Sequence, residues 1–134
     1  MKVDNPDKYT KHMPKIAIIE DDQAIAQMYR LKFEGEGFNV QMASNGRLGL
    51  ELTKQMMPDI ILLDIMMPEM NGDEMLEKLR ATEWGADIKV IILTNMGENE
   101  APAKLKSLNV SDFIVKAEMT PRQVAELVKE VLAR

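Results

Sequence analysis

Residues 60–72 decide the fold of this chain, and they read Ile60-Ile61-Leu62-Leu63-Asp64-Ile65-Met66-Met67-Pro68-Glu69-Met70-Asn71-Gly72. Four consecutive apolar residues followed at once by a carboxylate are typical of a parallel strand buried on both faces. Open α/β sheets bind their ligands just beyond the carboxyl ends of such strands. We therefore expect Asp64 to lie at the ligand-binding edge of a parallel sheet.

A second apolar run, residues 16–19, also ends in acids: Glu20, Asp21 and Asp22 follow it directly. If this strand lies beside the strand that precedes Asp64, the acids converge at one edge of the sheet. Clustered carboxylates favour a hard cation that prefers oxygen ligands, such as Mg²⁺ or Mn²⁺. Asp22 also stands where it can cap the following helix, and we favour the cap over metal binding for this residue.

The bulk composition restricts the class of protein. The chain has 134 residues, is 46% hydrophobic and carries a net charge of −5, which predicts one folded domain and argues against direct binding of nucleic acid. It has no cysteine, which excludes disulfides and a thiol nucleophile. Because no apolar stretch approaches the ~20 residues that span a bilayer, we expect a cytoplasmic protein with no membrane partner.

Apolar runs alternate with amphipathic stretches along the chain. Five segments read as strands: 15–19, 38–42, 59–63, 88–93 and 112–115. Five strand–helix units predict an α/β fold, a doubly wound (βα)5 parallel sheet with right-handed crossovers. Only 38–42 alternates polar with apolar residues, as an edge strand does, which predicts the flavodoxin-like strand order 2-1-3-4-5. Residues 14–134 are expected to form this domain, and residues 1–13 a flexible polar tail.

Turn and cap residues predict several helix boundaries. Gly35 and Gly37 are typical of a helix end, and Asn45-Gly46 breaks the pattern before the second helix. Thr120-Pro121 opens a capping box and begins the last helix. The helix between the fourth and fifth strands is expected to begin at or near Pro102, because proline is excluded from a helix interior.

Four segments at the ends of strands one, three, four and five carry a family resemblance. They are Ile19-Glu20-Asp21-Asp22, residues 58–68 with Asn71-Gly72, Ile91-Ile92-Leu93-Thr94 and Asp112-Phe113-Ile114-Val115-Lys116. Together they resemble the receiver domain of two-component response regulators, over roughly residues 14 to 134. The resemblance implies a switch that a sensor histidine kinase or a histidine phosphotransfer protein phosphorylates. It implies no enzyme in the usual sense, since such a domain catalyses only its own phosphotransfer and autodephosphorylation.

The resemblance assigns roles to the acids. Asp64 matches the aspartate that accepts the phosphoryl group. Glu20 and Asp21, with Asp64 and the backbone carbonyl of Met66, match the ligands of Mg²⁺ (or Mn²⁺). Without the metal these acids repel one another, so we expect their proton affinities to be raised.

The resemblance assigns the remaining roles at the same edge. Lys116 matches the lysine that pairs with the phosphoryl oxygens, and Thr94 the hydroxyl residue that moves toward them. Phe113 matches an aromatic switch position. Met66 and Met96 stand at the two positions that tune loss of the phosphoryl group, and neither side chain can orient an attacking water well. A long-lived phosphoryl-Asp64 is therefore expected.

Two positions depart from the family pattern. Lys116 is followed by Ala117 where relatives have proline and a cis bond. A cis bond before a residue other than proline costs ~3–4 kcal/mol, so we expect a trans bond or a shifted loop. Asn95 follows Thr94 where a small residue is usual, and it can alter the switch or add a hydrogen bond. Phe113 lacks the phenol hydroxyl of many relatives, so its switching would rest on ring packing.

The favoured interpretation is a stand-alone receiver, since no output domain follows Arg134. It would signal to an unknown downstream protein through its fourth helix, fifth strand and fifth helix. A receiver fragment of a longer regulator stays open, as does an interaction module that is never phosphorylated. An aspartyl phosphohydrolase of the haloacid dehalogenase type is disfavoured, because Glu20 stands at the nucleophile position. A flavodoxin-type flavin binder is disfavoured because the acids would repel the flavin phosphate.

Overall fold

The computed structural model describes residues 13–134 and contains one sheet of five parallel strands in the order 2-1-3-4-5. The strands are β1 (Lys15–Ile19), β2 (Asn39–Ala43), β3 (Ile60–Leu63), β4 (Lys89–Thr94) and β5 (Asp112–Val115). The α-helices are α1 (Gln23–Gly35), α2 (Gly46–Met56), α3 (Gly72–Arg80) and α4 (Pro121–Leu132). The predicted fold class and strand order are confirmed. The tail predicted for residues 1–13 lies, apart from Met13, outside the described residues.

The register of the sheet brings the ends of β1 and β3 to the same level. Ile19 of β1 pairs with Leu63 of β3, and the Asp64 N–H donates to the Ile19 carbonyl at 3.0 Å. Glu20 and Asp64 therefore leave neighbouring strands side by side, as the strand order predicted. β2 is the edge strand on this side of the sheet.

Two apolar clusters cover the two faces of the sheet, because successive side chains of a strand point to opposite faces. Ile16 and Ile18 of β1 pack into the cluster that α1 and α4 complete. Ala17 and Ile19 pack into the second cluster, with buried residues of α3. Full burial of each such isoleucine contributes roughly 1.5–3 kcal/mol to the stability of the fold. The acids that follow β1 are therefore positioned by a tightly packed strand.

Side-chain caps begin α1, α2 and α4 where the sequence predicted. The Asp22 carboxylate accepts from the Ile25 N–H at 3.1 Å, so Asp22 caps α1 as expected. Asn45 caps α2 through the Leu48 N–H at 2.8 Å. Thr120 and Gln123 form the predicted capping box, with Pro121 at the first position of α4.

The segment between β4 and β5 is a short 3-10 helix, Ala103–Ser107, and not an α-helix. It begins directly after Pro102, where the sequence predicted a helix to begin. Leu105 is its one buried residue. A single anchor gives no apolar stripe to stabilise several α-helical turns, which accounts for the short, tight element.

Arg80, at the end of α3, joins two loops that flank β4. Its guanidinium donates to the carbonyl oxygens of Leu108 (2.8 Å), Gly85 (2.9 Å) and Asn109 (3.0 Å). Burial lowers the pKa of Arg80 from its ordinary value, but the group stays charged at neutral pH. The side chain thereby satisfies carbonyl groups that the loops leave without partners.

No helix within residues 13–134 is both long enough and apolar enough to cross a membrane.

Candidate functional site

Three carboxylates meet at the carboxyl edge of the sheet. Glu20 and Asp21 follow β1, Asp64 follows β3, and one oxygen from each lies within 4.8 Å of the others. Glu20 and Asp64 are 3% and 6% exposed, whereas Asp21 is open to solvent. The expected convergence of these acids is found. Three carboxylate oxygens that are open to solvent on the side of Asp21 fit a divalent cation such as Mg²⁺, because Mg²⁺ keeps several waters when it is bound.

Lys116 holds the two buried acids together. Its ammonium group forms ion pairs with the Glu20 carboxylate and, at 3.0 Å, with Asp64 Oδ2. The lysine side chain is only 10% exposed. The sequence predicted a lysine at this edge but not these pairs, which join residues far apart in the chain. Buried charges of this kind persist in proteins when they are paired.

The proton affinities at the site follow from burial and from this pairing. Burial raises the pKa of Glu20 to about 7. Hydrogen bonds from Lys116 and from the Asp22 N–H counteract part of the rise, and the charge of Asp64 adds to it. Burial alone would lower the pKa of Lys116, but the hydrogen bonds and charges of Glu20 and Asp64 outweigh burial and raise it. Desolvation, more than the expected mutual repulsion, therefore dominates at Glu20.

The Asp64 carboxylate is held by both of its oxygens. Oδ1 accepts from the Ile65 N–H at 2.7 Å, and Oδ2 accepts from Lys116. Behind it, the Gly72 N–H donates to the Ile65 carbonyl at 2.7 Å. A Cβ at Gly72 would lie 2.9 Å from the carbonyl carbon of Asp64, so only glycine lets α3 begin this close to the acid. The carboxylate is thus oriented before any ligand binds.

Thr94 and Phe113 lie on β4 and β5, the two strands that follow β3 in the sheet. Thr94 ends β4, is 2% exposed, and its Oγ accepts from the Met96 N–H at 3.4 Å, a long hydrogen bond. Thr94 pairs in register with Val115, the residue before Lys116. Phe113 is half-buried and packs against the second apolar cluster. The structure therefore places Thr94 at the expected edge, whereas Phe113 lies within β5, in register with Ile92, and contributes to the core.

Both departures from the family pattern lie just beyond the carboxyl end of a strand. The Lys116–Ala117 bond is trans, as is every peptide bond within residues 13–134, so the expectation of a trans bond is confirmed. Lys116–Glu118 forms a 3-10 turn. Met66 is 63% exposed, Met96 is half-buried, and Asn95 is open to solvent.

A doubly wound sheet with three acids and a lysine at its carboxyl edge has clear relatives. The family model for the response regulator receiver domain matches residues 16–129. The DNA-binding dual master transcriptional regulator RpaA of Synechocystis is 36% identical over 121 residues, covering 90% of this chain and 48% of RpaA. The phosphate regulon transcriptional regulatory protein PhoB of Rhizobium meliloti is 32% identical, covering 91% of this chain and 53% of PhoB. The chain thus spans about half the length of these relatives.

Solved structures agree with the fold. A CheY-like response regulator receiver domain protein of Methanospirillum hungatei is 29% identical, with a TM-score of 0.83, and the match covers 91% of this chain and 95% of that one. The chemotaxis response regulator CheY4 of Vibrio cholerae, at 24% identity, shares the fold with a TM-score of 0.82, over 90% of this chain and 99% of that one. This chain belongs to the response regulator receiver domain family. Receiver domains are signalling switches and not enzymes in the usual sense.

Proposed function

We propose that residues 14–134 form a cytoplasmic switch that accepts a phosphoryl group on Asp64. The donor is a sensor histidine kinase or a histidine phosphotransfer protein. The observation that carries this proposal is the oriented Asp64 carboxylate, which has Glu20 and Asp21 within 4.8 Å and shares the Lys116 ammonium with Glu20. An aspartate beside a cation site and a lysine is equipped for phosphoryl transfer, which depends mainly on positioning and electrostatic stabilisation.

Glu20, Asp21, Asp64 and the backbone carbonyl of Met66 would hold Mg²⁺ (or Mn²⁺). When bound, Mg²⁺ supplies the positive charge that neutralises the transferring phosphoryl group. An oxygen of Asp64 forms the new bond to phosphorus as the bond from phosphorus to the donor nitrogen breaks. The electron pair of the broken bond stays on the imidazole of the donor. Lys116 donates hydrogen bonds to the phosphoryl oxygens, and its place against Asp64 at 3.0 Å supports this role.

The switch acts through neighbouring side chains. The Thr94 hydroxyl turns toward the phosphoryl group, and Phe113 repacks with it. The signalling surface consists of the segment Ala103–Ser107, β5 and α4, and it contacts a downstream protein. A groove of about 290 Å³ beside Leu105 and Phe113 on this surface supports a docking role. Direct contact with nucleic acid or membrane is not part of the proposal.

Met66 and Met96 give the phosphoryl group a long lifetime. Neither thioether is a good hydrogen-bond partner for water, and the exposed Met66 side chain stands two residues from Asp64. Hydrolysis of phosphoryl-Asp64 therefore lacks a side chain that orients the attacking water.

A second candidate comes from the relatives. RpaA is DNA-binding by name, and this chain matches about half of it. The same switch would then regulate an output domain of a longer regulator, in place of acting as a stand-alone receiver.

Intact-mass spectrometry after incubation with acetyl phosphate tests the proposal. We expect one added phosphoryl group with Mg²⁺, none with EDTA, and none in Asp64→Asn. Turnover of an aryl phosphate without a stable adduct would contradict the proposal and favour a phosphohydrolase. A folded protein that binds Mg²⁺ and gains no phosphoryl group would favour an interaction module.

A further inference from the structure

The loop between β3 and α3, residues 64–71, connects Asp64 to the start of α3. It contains Met66, whose backbone carbonyl is a proposed metal ligand. Apart from the Ile65 N–H bond to Asp64 Oδ1, the loop has two hydrogen bonds of its own: the Met70 N–H donates to the Pro68 carbonyl at 2.6 Å, and Asn71 Oδ1 accepts from the Met67 N–H at a long 3.4 Å. Glu69 has a φ of 63°, in the left-handed region of backbone conformation that residues other than glycine rarely adopt. Such a conformation persists only when its surroundings hold it.

The surroundings that hold the loop are the first residues of α2. Asn45 Nδ2 donates to Glu69 Oε2 at 2.6 Å, and the Gly46 N–H donates to the Met70 carbonyl at 3.0 Å. A Cβ at Gly46 would lie 2.9 Å from the Met70 side chain, so the two loops are in direct contact. The left-handed Glu69 is thus fixed from outside its own loop.

Asn45 uses both ends of its amide for this purpose. Its Oδ1 caps α2 by accepting from the Leu48 N–H at 2.8 Å, while its Nδ2 reaches Glu69. The residue is 5% exposed. A buried amide with both polar atoms bonded is costly to disturb, so the side chain links the start of α2 rigidly to the loop.

We propose that Asn45 is a positioning residue for the metal site, acting through Glu69 on the loop that carries the Met66 carbonyl. This inference rests on the proposed function, in which that carbonyl binds Mg²⁺. Mg²⁺ demands near-ideal octahedral geometry, so a loop that loses its outside support presents its carbonyl less well. Substitution of a residue that orients a metal ligand from behind commonly weakens metal affinity by ~10–100-fold.

Asn45 and Glu69 allow a reciprocal test. Asn45→Asp keeps the oxygen that caps α2 but places a carboxylate against Glu69 in place of the amide donor. Glu69→Gln keeps an acceptor oxygen for Asn45. The double variant restores the bond with its direction reversed, because the Gln amide then donates to the Asp carboxylate.

Mg²⁺ affinity, measured by isothermal titration calorimetry, is the main measurement. We expect Asn45→Asp to bind Mg²⁺ about tenfold more weakly, and Glu69→Gln and the double variant to bind like the wild type. The charge added by Asn45→Asp would by itself attract the cation, so weaker binding reports the lost contact. Loss of the Asn45–Glu69 bond should also lower the unfolding midpoint of Asn45→Asp in EDTA, and the double variant should recover the midpoint together with the Mg²⁺ affinity.

Two results would overturn the proposal. Asn45→Asp could bind Mg²⁺ as tightly as the wild type, whatever its stability, or its weak binding could fail to recover in the double variant. Glu69→Ala, at an exposed position, removes the contact from the other side and should also weaken binding if the inference is right. Absence of Mg²⁺ binding by the wild type overturns the proposed function and this role with it. Normal wild-type binding with unaffected variants overturns only the role of Asn45.

Discussion

Removal of the Lys116 charge should destabilise the metal-free protein. Its ammonium lies 3.0 Å from Asp64 Oδ2 and also pairs with Glu20, and these side chains are 10%, 8% and 4% exposed, respectively. At 3.0 Å and an effective dielectric of about 20, one such attraction is about 5.5 kcal/mol before the cost of desolvation. Breaking a buried pair from one side costs about 3–5 kcal/mol, because it leaves a buried charge without compensation.

We expect Lys116→Met to lower the free energy of unfolding by about 3 kcal/mol. The lower end of the range applies because water can reach the cluster past the exposed Asp21. Urea denaturation in EDTA, followed by circular dichroism, measures the change. Mg²⁺ should recover part of the loss, because the bound cation supplies positive charge to the same acids and stabilises the folded state by linkage.

Lys104→Met is the matched control, since it makes the same chemical change at a surface ion pair. Lys104 is 40% exposed and pairs with Asp73 at 3.3 Å. Its loss should have no more than a small effect, as is usual for exposed pairs. If Lys116→Met is as stable as the wild type in EDTA, or more stable, the ion pairs of Lys116 do not stabilise the fold and the reasoning is refuted.

Three further predictions have defined outcomes. Met66→Asn combined with Met96→Glu should speed the decay of the phosphorylated mass roughly tenfold, because both new side chains can orient water; an unchanged decay would refute the lifetime argument. Gly72→Ala should lower the free energy of unfolding in urea by about 3 kcal/mol, because its Cβ would meet backbone atoms at 2.9 and 3.0 Å. Gly35→Ala is its control, since a Cβ there meets no described atom within 4 Å, and equal losses in the two variants would contradict the steric account. Arg80→Lys should cost about 2 kcal/mol in the same assay, because lysine cannot reach several carbonyls at once, and wild-type stability would show that those bonds contribute little.

The sequence predicted the parts of the molecule that depend on local pattern and on topology. The apolar run before Asp64 and the alternating pattern of the edge strand determined the strand order. The strand order, in turn, placed Glu20 beside Asp64. Asp22 and Thr120 were recognised as caps because a cap depends on residues only three positions away.

The sequence could not predict contacts that depend on the reach of a side chain across the fold. Lys116 pairs with Glu20, and Asn45 bonds to Glu69, across loops that only the folded chain brings together. The role of Arg80 could not be predicted for the same reason, because its partners are backbone carbonyls, which have no sequence signature. The 3-10 form of Ala103–Ser107 also escaped prediction, because proline indicates where a helix begins and not which kind follows.

Chemical trapping shows whether Asp64 becomes an aspartyl phosphate. Borohydride reduces an aspartyl phosphate to homoserine, so the protein is treated with acetyl phosphate and Mg²⁺, reduced, digested and mapped by mass spectrometry. We expect homoserine at position 64, dependent on Mg²⁺, and unchanged aspartate at position 21. Homoserine at position 21, or none anywhere in a protein that binds Mg²⁺, would exclude Asp64 as the phosphoryl acceptor.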